Sequence, residues 1–133
     1  MAGIADIRTY LTTALLVEGA TGWACFLGAE PSTPDKCVTI YEYAGFAPTR
    51  AFGASSSDVP RPSFQIRVRG TNDQDYLTPN TKIKAIIAAL NKATVSSDLV
   101  LFVANSAPIP LGLDSNNRHI FVYNFDSYNF GGF

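Results

Sequence analysis

The stretch SFQIRVRG, residues 63–70, decides the fold of this 133-residue chain. Successive residues of a strand point to opposite faces. One face of this strand therefore carries Phe64, Ile66 and Val68, and the other carries Gln65, Arg67 and Arg69. We predict that the apolar face packs in a core, while the opposite face presents two arginines that need a partner.

A second helix follows this strand, and a first helix begins the chain. Ile4, Ile7, Leu11 and Leu15 recur at helical spacing and predict a helix over residues 4–17, with Gly19 as its stop. In the second helix the apolar stripe consists of Ile83, Ile86, Ile87 and Leu90. Thr78 is predicted as its N-cap and Pro79 as its first residue, with an earlier start near Asp75 as the alternative.

Further strands are predicted on both sides of this centre. Residues 22–30 and 36–45 are β-type runs joined by turn residues, and we predict an antiparallel pair. Residues 99–104 and 119–129 also read as strands, and PIPLGLDSNNRH (108–119) between them reads as a turn region. We predict one α+β domain over 1–133, with an antiparallel or mixed sheet of about five strands and two helices on one face.

Two segments fall outside this pattern. Residues 46–62 hold three serines, three prolines and small residues without apolar periodicity, and we predict a long loop there. It is either a mobile surface loop or a segment that becomes ordered against a neighbouring molecule. The end of the chain, residues 127–133, is predicted as an aromatic and glycine-rich tail.

The composition limits the possible functions. Ten basic and eleven acidic residues give a net charge of −1, which argues against strong sequence-independent binding of nucleic acid. Charged residues make up only 16% of the chain, which favours a surface covered by partners. No apolar run is long enough to cross a membrane, and Asp6, Arg8 and Glu18 do not fit a signal peptide, so we predict intracellular synthesis. Cys25 and Cys37 are predicted as reduced and buried, with a disulfide across a hairpin as the alternative.

No pattern in the chain predicts catalysis. His119 is the only histidine, and it leads into a strand, so a structural role is favoured over a triad with Asp114 and Ser115. Asp73 and Asp75 precede a helix, where carboxylates stabilise the helix dipole. The segment GTNDQD (70–75) lacks the ligand pattern of a calcium loop. We therefore predict a protein that is not an enzyme and has no catalytic residue, cofactor or metal site.

Two stretches resemble a known family. PRPSFQIRVRGTNDQDY (60–76), followed by a helix, is similar to the strand-to-helix junction of the minor capsid protein family of long-tailed bacteriophages. APIPLGLDSNNRHIFVYNFD (107–126) resembles the C-terminal signature of the same family. That family is in turn similar to tail-terminator and head-tail joining proteins, which form rings on the tail tube. Pro79 and the aromatic end of the chain depart from the family pattern.

The resemblance implies a structural protein of the virion, located at the junction of tail and neck and made in the cytoplasm of the bacterial host. It implies a ring of copies of this chain, with six as the expected number, that caps the tail tube protein and joins the head-tail connector. DNA would pass through the lumen without specific binding, and no membrane is involved. The alternatives are a head-completion or stopper protein and, in a different class, a soluble ligand-binding α+β domain of the host.

The polar residues of such a ring are expected at subunit interfaces or in its lumen. The candidates are Arg67, Arg69, Gln65, Arg50, Arg61 and Arg118. Arg67 and Arg69 either pair with acidic residues of a neighbouring subunit or face the DNA. We favour the pairing, because acidic residues match basic ones in number.

Overall fold

Two helices and seven strands make up the part of the chain that the computed structural model describes, residues 3–49 and 59–130. In chain order they are α1 (Ile4–Thr13), a 3-10 turn (Gly19–Thr21), β1 (Ala24–Leu27), β2 (Cys37–Thr49), β3 (Val59–Arg69), α2 (Leu77–Leu90), β4 (Thr94–Val95), β5 (Leu99–Val103), β6 (Ile109–Leu113) and β7 (His119–Asn129). The predicted α+β class agrees with this order. The number of strands exceeds the predicted five.

The strands form one mixed sheet in the order β1-β2-β3-β7-β5-β4, with β6 paired to β7 outside this path. Strand β3 lies at the centre and is antiparallel to both β2 and β7. The prediction that β1 and β2 are antiparallel was wrong, because they are parallel. Two parallel neighbouring strands begin at the same end of the sheet, so the chain must return to that end between them. Residues 28–36, here called the crossover segment, make this return.

Both helices pack on the same face of the sheet, as predicted. Phe64, Ile66 and Val68 of β3 are fully buried on this face. They belong to one core cluster with residues from both helices: Ile7, Leu11, Ile83, Ile86 and Leu90. Helix α1 contacts both β1 and β4, which stand at opposite ends of the strand order, so the sheet curls around the helices.

The helix boundaries differ from the predicted ones. Helix α1 ends at Thr13 instead of residue 17, and Leu15 has a left-handed backbone, with φ of 60°, so the chain turns before it reaches Gly19. Helix α2 begins at Leu77, which places Pro79 within the first turn, where the missing N–H breaks no helical hydrogen bond. The alternative start near Asp75 is closer to the observed start at Leu77. Asp75 Oδ1 accepts a hydrogen bond of 3.1 Å from the backbone N–H of Thr78, at the beginning of the helix.

Within the predicted loop 46–62, the described residues 46–49 and 59–62 are strand. Strands β2 and β3 continue as an extended hairpin, here called the hairpin arm (residues 44–49 and 59–62), while residues 50–58 lie outside the described part. The pairing shifts between Tyr43 and Phe46, which marks a bulge at Gly45. Gly45 has φ of 72°, and a Cβ there would lie 2.2 Å from the carbonyl oxygen of Arg61, so only glycine fits this position.

Strand β6 was predicted as part of a turn region. Residues 109–113 instead pair antiparallel with the first residues of β7, and all five are exposed. Pro110 masked the strand in the sequence, since proline is confined to the edges of sheets, where β6 lies. The predicted tail is also shorter, because β7 continues to Asn129, and residues 131–133 lie outside the described part.

The two cysteines are buried and their thiols are free, which confirms the favoured prediction. In the parallel pair β1–β2, Cys25 lies beside Val38, and Cys37 lies beside Ala24, so the two cysteines are not direct cross-strand partners. Burial raises the pKa of Cys25 to about 12, with the carboxylate of Glu18 adding to the effect. Such a thiol is unreactive at neutral pH.

Candidate functional site

Arg69 holds the crossover segment on the face of the sheet that lies away from the helices. Its side chain is only 2% exposed. The guanidinium donates to the carbonyl oxygens of Pro31 (2.6 Å), Pro34 (2.6 Å) and Asp35 (2.8 Å), and it forms an ion pair of 3.1 Å with Glu30. A buried arginine is stable only when it is paired and hydrogen-bonded in this way.

Arg118 holds the same segment from the turn between β6 and β7. Its Nη1 donates to the carbonyl oxygen of Ser32 (2.8 Å) and to Asp35 Oδ1 (3.0 Å). Its Nε donates to Asp114 Oδ2 at 2.8 Å. Burial alone raises the pKa of Asp114, but the backbone N–H groups of Arg118 and Asn116 and the Arg118 side chain outweigh this and lower it. Two buried arginines therefore connect the crossover segment to the sheet.

The open part of the same sheet face is polar and nearly neutral. Tyr41, Gln65 and Asn124 are aligned across β2, β3 and β7, and Gln65 Nε2 donates to Asn124 Oδ1 at 3.1 Å. The next row contains Arg67, which is 28% exposed and whose Nε lies 3.1 Å from Glu30 Oε2, an ion pair without hydrogen-bond geometry. One carboxylate, Glu30, thus faces both strand arginines of a single chain.

Arg61 lies at the other end of β3, on the hairpin arm. Its guanidinium carbon is 4.6 Å from the ring centroid of Phe46 and 4.5 Å from that of Tyr128. The Tyr128 ring stacks in turn on Phe130, at 6.1 Å. The Nε–H of Arg61 is shielded from solvent and has no hydrogen-bond acceptor in the described part of the chain. Among the described residues, Arg61 is therefore held by aromatic rings and not by carboxylates.

The six predicted residues thus separate into groups. Arg69 and Arg118 both hold the crossover segment, while Arg67 and Gln65 lie on the open sheet face. Arg61 lies apart on the hairpin arm, and Arg50 falls outside the described residues. Sequence reasoning missed the acidic partners Glu30 and Asp35, which stand in a turn-rich segment where charges are usually solvated. The absence of acidic residues opposite Arg67 and Arg69 on β2 was the signal that could have pointed to that segment.

The described residues show no arrangement that suggests catalysis. They contain no cluster of residues able to hold a metal ion, and none of their helices is long and apolar enough to span a membrane. His119 is engaged in packing: its Nε2 lies 2.8 Å from the carbonyl oxygen of Asp73, and its ring meets Tyr76 edge to face at 5.4 Å. What the surface offers instead is a set of exposed apolar side chains and an open polar sheet face.

Comparison with known proteins agrees with this picture. No curated protein matches the sequence at a significant level. Among solved structures, a chain in the virion of a native gene transfer agent particle shares the fold, with a TM-score of 0.65 over 94% of this chain and 92% of that one, at 16% identity. The family model described as bacteriophage tail terminator protein matches residues 2–126. The chain therefore belongs to the bacteriophage tail terminator family, whose members are structural and not enzymatic.

Proposed function

We propose that this structural protein of the virion tail assembles into a ring that caps the tail tube and joins it to the head connector. Because the chain belongs to the tail terminator family, a host ligand-binding domain is no longer considered as an alternative. The ring, its expected six copies and the two partner proteins are inferred from the resemblance and from the surface of the subunit.

The observation that carries the proposal is the position of the exposed apolar side chains. Phe46 and Phe130, exposed by 52% and 64%, lie at the hairpin arm. Leu77 and Leu111, exposed by 72% and 52%, lie at the opposite end of β3. Two different apolar surfaces at opposite ends fit a head-to-tail contact, in which each copy joins the next and a rotation closes the ring.

The open sheet face suits a lumen. The row of Tyr41, Gln65 and Asn124 carries no charge, and the charge of Arg67 is balanced by Glu30 of the same chain. A face of this kind offers few free cations to phosphates, so DNA would slide past it without being held. Pairing of Arg67 with a neighbouring subunit is the competing arrangement, and the internal ion pair argues against it.

Imaging of tails tests the function. Phage that lack this protein should produce overlong tails if it stops polymerisation of the tube. Tails of normal length that fail to join filled heads would instead indicate a head-completion or stopper role. Negative-stain images of the purified protein with tail tubes should show rings on the tube ends. A protein that stays monomeric and never binds tubes would contradict the proposal.

A further inference from the structure

The hairpin arm carries an open groove beside Arg61. Its walls are mainly apolar, formed by Phe46, Pro48, Pro60 and Pro62, and they also include the side chain of Glu42. Glu42 pairs with Phe64, three residues along β3 from Arg61, so its negative charge is offset from the guanidinium. The groove therefore presents one cation, with one carboxylate offset from it, within mainly apolar walls.

Arg61 is oriented but not satisfied in this groove. The rings of Phe46 and Tyr128 fix the plane of its guanidinium, and its shielded Nε–H meets no acceptor in the described residues. A shielded donor without an acceptor is unfavourable. Arg61 as a whole is half-buried, so a guest that brings a carboxylate next to an apolar side chain could pair with the accessible part of the guanidinium and pack on the walls.

One exposed segment of the same chain has this chemistry. Residues 71–77 follow the opposite end of β3, where Asp73 is exposed and its carboxylate has no cationic partner within the described ranges. Two large side chains close by are also exposed, Tyr76 by 45% and Leu77 by 72%. This acidic and apolar combination matches the groove.

We propose that residues 71–77 of one copy dock in the arm groove of the next copy, with Asp73 pairing with Arg61 and Leu77 packing on the prolines. The proposal rests on the ring of the proposed function and names its subunit contact. Because the two surfaces lie at opposite ends of β3, the contact is head to tail and each copy contributes one of each.

Charge reversal tests the pair. Asp73→Arg places two cations in each contact and Arg61→Glu places two carboxylates there, so each variant should weaken ring formation by about thirtyfold or more. Rings are scored by native mass spectrometry in solution and by negative-stain imaging on tube ends. Asp73 is exposed and its carboxylate makes no hydrogen bond or ion pair within the described ranges, so Asp73→Arg should fold, which its circular dichroism spectrum verifies.

Mixing the two variants gives the sharpest result. In a ring where Arg61→Glu and Asp73→Arg chains alternate, every contact is either the native pair or the reversed pair. The mixture should therefore assemble where neither variant does, with equal numbers of the two chains in each ring. The double variant in one chain should also assemble.

Two controls make the test specific. Lys84→Glu makes the same charge change as Arg61→Glu at an exposed position of α2, and it should not restore rings when mixed with Asp73→Arg. Asp58 lies three residues before Arg61 in the sequence. Rescue of Arg61→Glu by Asp58→Arg within one chain would mean that Arg61 pairs with its own chain, and this would overturn the proposal. If Asp73→Arg chains form rings as readily as wild-type chains, the proposed contact is also overturned, while the proposed function stands. A wild-type chain that forms no ring in solution or on tubes refutes the proposed function itself.

Discussion

Arg69 and Arg61 occupy the two ends of the same strand and differ in almost every respect. Arg69 is 2% exposed, and it donates to three carbonyl oxygens and a carboxylate of its own chain. Arg61 lies between two aromatic rings, and its Nε–H has no acceptor in the described residues. One arginine is satisfied within the subunit, and the other is oriented but left without a hydrogen bond at Nε.

This difference separates folding from assembly along β3. At the Arg69 end, the crossover segment completes the subunit and covers part of the sheet. At the arm end, the two strands extend past the core, and Phe46 is exposed by 52%. Large exposed apolar side chains beside a half-buried cation are typical of a surface that is completed by another molecule. Substitutions at the two ends should therefore change different quantities.

The largest effect on stability is expected for Arg69→Met. The substitution leaves Glu30 with only Arg67 as a cation and removes the donor from three carbonyl oxygens of the crossover segment. We expect the free energy of unfolding, measured in urea, to fall by about 3 kcal/mol. Arg69→Lys should recover little of it, because an ammonium cannot reproduce the planar set of donors. A loss below about 1 kcal/mol would mean that the crossover segment does not depend on this residue.

The next largest effect is expected for Gly45→Ala in the arm. Its new Cβ would lie 2.2 Å from the carbonyl oxygen of Arg61, so the bulge must shift. We expect a loss of about 2 kcal/mol and faster amide exchange in the arm. Gly28→Ala is the matched control, since Gly28 has a similar φ of 76° and nothing within 4 Å of a new Cβ, and it should cost about 1 kcal/mol. Equal losses would show that backbone strain, and not the contact, limits position 45.

The sequence predicted the centre of the fold because β3 combines strict alternation with a following helix. The buried positions Phe64, Ile66 and Val68 and the single helical face follow directly from that pattern. The parallel β1–β2 pair could not be predicted, since the two β-type runs are joined only by turn residues, which are also typical of a hairpin. The direction of the return depends on Arg69 and Arg118, far along the chain.

The candidate site was predicted less completely than the fold. The residue types were identified, but not the partners, because Glu30 and Asp35 reach the arginines only after the crossover segment has folded over the sheet. Residues 46–62 were assigned as a loop, since their serines and prolines, Pro48 and Pro60 among them, interrupt a strand pattern. In the structure Gly45 forms a bulge, and both prolines lie in the extended hairpin.

A smaller effect, dependent on pH, is expected for Asp114→Asn at the Arg118 anchor. The folded pKa of Asp114 is lowered, so its contribution to stability is complete above the unfolded value of about 3.9. It is lost as the pH falls through the lower folded pKa. Wild type should therefore lose stability on acidification more steeply than Asp114→Asn, while at neutral pH the variant should be less stable by about 1.5 kcal/mol. Parallel stability curves from pH 2 to 6 would contradict this ion pair.

The smallest effect on stability is expected for Arg67→Gln, and it also separates the two roles considered for the open sheet face. Arg67 is 28% exposed, and Glu30 keeps its bond to Arg69 when Arg67 is neutralised, so the loss should be about 0.5 kcal/mol. If Arg67 faces a lumen, rings should form as in wild type, and the rate of DNA ejection should change because one cation per subunit is lost. If Arg67 pairs with a neighbouring subunit, ring formation should weaken instead. Because Glu30 already balances Arg67 within the chain, we expect intact rings and an altered ejection rate.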